Sequence, residues 1–96
     1  MYEWGACPRK LYESVLLSTM PTVLKVNGFR FYFYSNESNE PCHIHVEKAD
    51  GNAKYWLDPV AEVYSYDFTV QQRKDIARLI NSNSEKFKNA WYEYFK

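Results

Sequence analysis

Residues 42–48 read Cys-His-Ile-His-Val-Glu-Lys and hold both histidines of the chain. Side chains alternate between the two faces of a strand. A strand here therefore sets His43, His45 and Glu47 on one face, and Cys42, Ile44, Val46 and Lys48 on the other. Histidines two residues apart lie about 6.5–7 Å apart at Cα, so their imidazoles can converge on one ion. Glu47, about 13 Å from His43 along the strand, cannot easily join both rings.

The returning strand decides what faces them. With Asp50-Gly51 as a two-residue turn, Ile44 faces Leu57 and Val46 faces Tyr55, a sensible core side. On the other side Glu47 meets Lys54, His45 meets Trp56, and His43 meets Asp58. Moving the turn to Gly51-Asn52 keeps the faces and slides the partners, bringing Asp58 opposite His45.

Four readings of this polar face follow. His43 and His45 could ligate a metal, with Asp58 adding a carboxylate. His43, oriented by Asp58, could move a proton near neutral pH, with His45 beside it, as in a small hydrolase or nuclease. His43, His45, Trp56, Glu47 and Lys54 could together form an open surface for a protein partner or for RNA. The plainest reading is a solvated sheet face, where His45 packs on Trp56 and Glu47–Lys54 is an ion pair worth under about 1 kcal/mol. A lone His-x-His is a weak motif and does not choose among them. Cys42 points away from the rings, which disfavours a Cys–His pair.

Elements must hold these residues in place. Asn27-Gly28 sits between two β-rich runs in TVLKVNGFRFYFY, the strongest short hairpin signal. A two-residue loop there pairs Val26 with Phe29, Lys25 with Arg30, Leu24 with Phe31, Val23 with Tyr32 and Thr22 with Phe33. Residues 35–41, SNESNEP, read as a polar loop. A second hairpin spans 42–48 and 53–58, and residues 61–66 make a short further strand. Thr69 with Gln72, and Ser82 with Glu85, are capping-box pairs that start two helices. Ile76, Leu79 and Ile80 line the first helix. Phe87, Trp91, Tyr94 and Phe95 line the second as an amphipathic stripe, which reads as core and disfavours a DNA-reading helix-turn-helix. The predicted fold class is α+β: an antiparallel sheet of four to five strands, two hairpins among them, packed against two C-terminal helices.

The chain of 96 residues suits one domain. Nine Tyr, six Phe and three Trp exceed what so small a core can hide, so some rings should stay at the surface. Twelve basic residues balance twelve acidic ones, which disfavours tight binding to duplex DNA. Two cysteines outside any CxxC motif predict reduced thiols, and no apolar run is long enough for a signal peptide or membrane span. A cytoplasmic protein without a cofactor is the expectation. Residues 1–19 have no clear period and read as an N-terminal extension that need not be native, ahead of a domain over 20–96. The other reading is a short helix from Arg9 to Ser18, with Leu11 and Val15 on one side.

Met20-Pro21-Thr22-Val23, Gly28-Phe29-Arg30-Phe31 and Pro41-Cys42-His43-Ile44-His45-Val46 carry a resemblance. Together with Ala53 to Val60, Asn83 to Phe87, Trp91 and Phe95, they are similar to the bacterial domain-of-unknown-function family 4160. Its members begin Met-Pro-Thr, carry a Pro-Pro-His-x-His-Val motif and end in two helices. Cys42 replaces the second proline. The resemblance spans about residues 20–96 and makes Met20 the expected first residue. It implies a protein partner encoded nearby, in a paired, toxin–antitoxin-like system, and supplies no catalytic residues.

Overall fold

The structure, a computed structural model, describes residues 21–96. The expectations for residues 1–19 and for Met20 lie outside the described residues. Five antiparallel strands follow one another in chain order: β1 (Thr22–Val26), β2 (Phe29–Tyr32), β3 (His43–Lys48), β4 (Gly51–Leu57) and β5 (Val60–Tyr66). Helices α1 (Val70–Ser82) and α2 (Ser84–Tyr94) complete the α+β fold.

The first hairpin turns at Asn27-Gly28, with φ of 52° and 83°, the positive pair that a type I′ turn demands. Val26 pairs with Phe29, Lys25 with Arg30 and Leu24 with Phe31, as the spacing predicts. Beyond that point the register shifts, leaving Val23 as the extra residue. Thr22, not Val23, comes opposite Tyr32, and its hydroxyl accepts a 2.7 Å hydrogen bond from Arg30 Nε.

The second hairpin corrects the expected register. Lys48 pairs with Gly51, so the loop is Ala49-Asp50 and not Asp50-Gly51. Ile44 faces Tyr55, Val46 faces Ala53, His43 faces Trp56, His45 faces Lys54 and Glu47 faces Asn52. The two faces keep their predicted members while every partner slides by two residues. The cause lies at Gly51. A Cβ there would stand 2.5 Å from the Phe68 ring and 2.9 Å from the Asp67 carbonyl oxygen. Close packing takes the glycine, and Ala49 adopts the left-handed backbone instead, at φ 53°. A positive φ confined to the first loop position is the type II′ pattern, where glycine is usual. Asp58 and Pro59, joined by a cis peptide bond, make the turn into β5, so Asp58 is not opposite either histidine. The pairing of β4 with β5 skips Val63, a bulge in the outer strand.

Both helices lie against the Phe face. Thr69 and Gln72 close the predicted capping box of α1. The second predicted box does not form. Ser82 ends α1, and Asn83 joins the helices without a side-chain cap for α2, its amide donating instead to the Leu79 carbonyl at 2.8 Å. Phe87 stacks on Phe31 with ring centroids 5.2 Å apart, and Phe33 meets Trp91, Tyr94 and Phe95. Ile76, Ile80, Ile44 and Val46 are fully buried beside them. Burying each such side chain contributes about 1.5–3 kcal/mol, so this layer fixes how α2 sits on the sheet. Tyr66 and Tyr92 are among the large apolar residues left exposed, as the aromatic surplus predicts.

Candidate functional site

His43 and His45 do project from one face of β3, with ring centroids 5.1 Å apart and nearly perpendicular. That face is not open at the histidines. His43 is wholly buried and His45 is 5% exposed. Trp91 of α2, 4.7 Å away, and Trp56 of β4, 5.8 Å away, enclose His43. Tyr32 stacks on His45 and Tyr34 meets it edge-on. An exposed binding face that includes the two rings is therefore overturned, and so is the simple solvated face.

The chain's own loop supplies what covers them. Between β2 and β3 runs the polar segment read above only as turn formers. The Tyr34 carbonyl accepts from the Glu37 N–H at 3.3 Å, and the Tyr34 N–H returns a 3.1 Å bond to Glu37 Oε1. This compact turn aims the Glu37 carboxylate at the histidines. Its Oε1 stands 2.8 Å from His43 Nε2 and 3.1 Å from His45 Nε2, and its Oε2 is 3.3 Å from the latter. The Pro41 carbonyl lies 2.9 Å from His43 Nδ1. A carbonyl only accepts, so Nδ1 carries the hydrogen and Nε2 is the ring atom aimed at Glu37.

Electrostatics follow from this enclosure. Burial pushes the Glu37 carboxyl up, but the His43 hydrogen bond and the two imidazoles outweigh it and hold the group below its ordinary value. Burial is the largest influence on His45 and, together with the nearby His43 and Lys54, holds the ring below its ordinary value despite the Glu37 carboxylate. An ionised carboxylate thus meets a neutral His45 ring near pH 7.

The remaining candidates fall outside this trio. Asp58 is absent from the three-residue group whose ligand atoms converge, so it neither orients His43 nor adds a ligand there. Glu47 pairs with Arg30 at 3.0 Å, not with Lys54. Lys54 engages Glu40 and sits 4.8 Å over the Trp56 ring. Cys42 is buried in the core, where its thiol is pushed up to about 11 by burial, against the opposing Lys88 charge and a Tyr92 hydrogen bond. The sequence reading missed Glu37, Glu40 and the Tyr32–Tyr34 wall. The available signal was a ten-residue connection, 33–42, well beyond the two to five residues of an ordinary hairpin loop.

A family match sets this site in context. The family described as domain of unknown function (DUF4160) matches residues 28–92, from the first turn to the last helix. The chain belongs to this family. The matched span includes Glu37, His43 and His45. Neither a curated protein nor a solved structure matches the chain. No described helix is long and apolar enough to cross a membrane.

As chemistry, the arrangement is two imidazoles and a carboxylate drawn together beneath aromatic walls. Two surface depressions, of about 340 and 360 Å³, are lined by other residues. That separation gives no support to a hydrolase or nuclease in which the histidines meet a bulky substrate.

Proposed function

We propose that this protein is a small binding component that recognises a protein partner through β5 and the start of α1. The observation that carries the reading is a run of exposed apolar residues along β5 and at the start of α1. Val63 and Tyr66 of β5, and Val70 of α1, are 40%, 59% and 69% exposed. Among the described residues β5 is an edge strand, with a neighbouring strand on one side only. Beside it a depression of about 360 Å³ is lined by Tyr55, Glu62, Val70, Arg73, Lys74 and Ala77. An edge strand flanked by apolar side chains and a shallow groove suits a partner that brings its own extended segment or apolar surface.

Charge favours protein over RNA as the occupant. Arg30 is held by Glu47, Lys54 by Glu40 and Arg73 by Glu62. These cations are already neutralised, whereas phosphate binding relies on cations that release counterions. The polar sheet face keeps a supporting role, since Lys54, Trp56 and Glu47 remain partly accessible on it. The paired, toxin–antitoxin-like setting rests on the family resemblance alone.

The test is co-expression with the product of the neighbouring gene, followed by titration of the purified pair. Val63→Glu and Val70→Glu should each abolish the complex while leaving the unfolding midpoint of the free chain nearly unchanged. A complex untouched by both substitutions overturns the reading. So does tight, salt-sensitive binding to single-stranded RNA without a protein partner. A homodimer broken by the same substitutions would overturn it by naming a second copy as the occupant.

A further inference from the structure

We propose that Glu37, His43 and His45 form a binding site for one divalent first-row transition-metal ion, Zn²⁺ foremost. This inference is independent of the partner reading and rests on a different part of the molecule.

The ligand set comes first. Two imidazole nitrogens and one carboxylate oxygen are the donor types that zinc and its neighbours take, while Ca²⁺ and Mg²⁺ prefer oxygen alone. One ligand atom from each of the three residues lies within 4.8 Å of the others. For bonds of about 2.1 Å, ligands around a tetrahedral or octahedral ion stand about 3.0–3.4 Å apart. The two His–Glu separations, 2.8 and 3.1 Å, already sit near that range. An ion therefore asks for shifts of a few tenths of an ångström on those two edges, and for the third edge, between the two imidazoles, to close from as much as 4.8 Å, a movement of up to about 1.4–1.8 Å.

The outer contacts fit the same purpose. Metal-binding histidines usually donate their second ring N–H to a carbonyl or carboxylate, which fixes the ring and its tautomer. The Pro41 carbonyl does this for His43 Nδ1. Glu40 Oε1 stands 3.8 Å from the same nitrogen, on the side away from Glu37. The Tyr34 N–H steadies the ligating carboxylate. With Nδ1 so committed, His43 Nε2 and Glu37 Oε1 both turn an electron-rich atom into the same small space. Something positive must lie between them, either a proton or a metal ion.

Charge argues for the ion as well. Lys54, the cation across from His45, is engaged by Glu40. Two imidazole donors and one carboxylate bring a single negative charge to a bound ion, so a divalent cation would leave the site with one net positive charge. Glu37, with 16% of its side chain exposed, is the most accessible of the three, and water reaching past it would complete the coordination shell. A closed site of this kind ties residues 33–42 to β3 and stabilises the fold.

The experiment uses the untagged full chain, stripped with EDTA and titrated with ZnCl₂ by calorimetry, then with CoCl₂ as a spectroscopic probe. One Zn²⁺ per chain and a rise in the unfolding midpoint are expected. Losing an outer partner typically weakens metal binding by about 10–100-fold, so Glu37→Gln and His45→Ala, which remove direct ligands, should weaken it by at least about 100-fold. The chain has only two histidines, so their ring ¹⁵N signals report this site directly. In the unaltered chain, Zn²⁺ should shift the Nε2 signals of both rings while His43 Nδ1 keeps its proton. That measurement decides the matter even where a variant fails to fold. The proposal is overturned by the absence of saturable binding, by ring signals that do not move, or by affinity unchanged in both folded variants. Any of the three would leave a proton as the bridging charge and Glu37 as a structural partner of the two rings.

Discussion

Glu37→Ala should be among the most damaging substitutions of a polar side chain in this protein. The magnitude follows from what it abandons. His43 and His45 have side chains 0% and 6% exposed, so water has little access to the two Nε2 atoms that now face Glu37. A buried polar group stripped of its partner costs about 1–3 kcal/mol, so two of them cost about 2–6 kcal/mol. A domain of this size has about 4–11 kcal/mol of total stability, so the loss is a large share of the whole. Glu93→Ala provides the contrast. Its ion pair with Lys96 joins side chains 74% and 72% exposed, and such pairs contribute under about 1 kcal/mol. Glu37→Gln keeps an acceptor oxygen and should lose less than the alanine variant. The assay is urea unfolding of the EDTA-treated chain, followed by tryptophan fluorescence, since Trp91 lies in the core and touches His43. A Glu37→Ala chain within about 0.5 kcal/mol of the parent, the range of ordinary surface changes, would refute the claim that this carboxylate holds the loop to the sheet.

Two substitutions in the second hairpin should move stability in opposite directions. Gly51→Ala forces a Cβ into the Phe68 ring and should destabilise by about 1–3 kcal/mol, despite the usual gain from replacing a strand glycine. Ala49→Gly relieves a left-handed alanine and should stabilise by up to about 1 kcal/mol; matched unfolding curves check both, and equal signs would reject the assigned turn. Thr69→Ala removes the hydroxyl that accepts from the Gln72 N–H at 3.0 Å and should cost about 1 kcal/mol, read from the thermal midpoint. In a Cys7→Ser chain, Cys42 should react with a disulfide reagent at least about 100-fold more slowly than in urea, because only opened molecules expose it. Prompt reaction in the native state would mean that the start of β3 is loosely packed.

Much of the architecture was legible because it depends on period and punctuation. Asn27-Gly28 names its own turn, the Phe29–Phe31–Phe33 alternation names the core face, and the 87, 91, 94 and 95 spacing names the side of α2 that meets it. Thr69 with Gln72 marks the helix start for the same local reason. The errors came where one residue type serves two ends. Asp50-Gly51 carries a turn signature, yet Gly51 is needed for the approach of Phe68, a contact 17 residues away in sequence. No local pattern reveals that competition. Ser82 likewise offers a cap, but the tight junction at Asn83 absorbs it into the end of α1. The bulges at Val23 and Val63 each insert one extra residue into a strand, which a period of two does not encode.

The histidine site shows how a correct face can carry a wrong environment. Alternation places His43 and His45 together, and that much holds. Whether the face is wet depends on where the chain between β2 and β3 goes. Ten residues are far more than that hairpin needs, and they carry two glutamates. Glu37 comes down over the rings while Glu40 takes Lys54, so each acidic side chain answers a basic one on the sheet. Burial then changes the chemistry open to the pair. Exposed imidazoles could meet a partner or a bulky substrate, whereas enclosed ones beside a carboxylate can hold a proton or an ion. The exposed apolar residues of β5 lie two strands from β3, about 9–10 Å in the sheet. At that distance perturbations without shared contacts usually add independently. Loss of the Glu37 cluster should therefore weaken folding or metal binding without removing the partner surface. Substitutions at Val63 should do the converse, which makes the two readings separable in one set of variants.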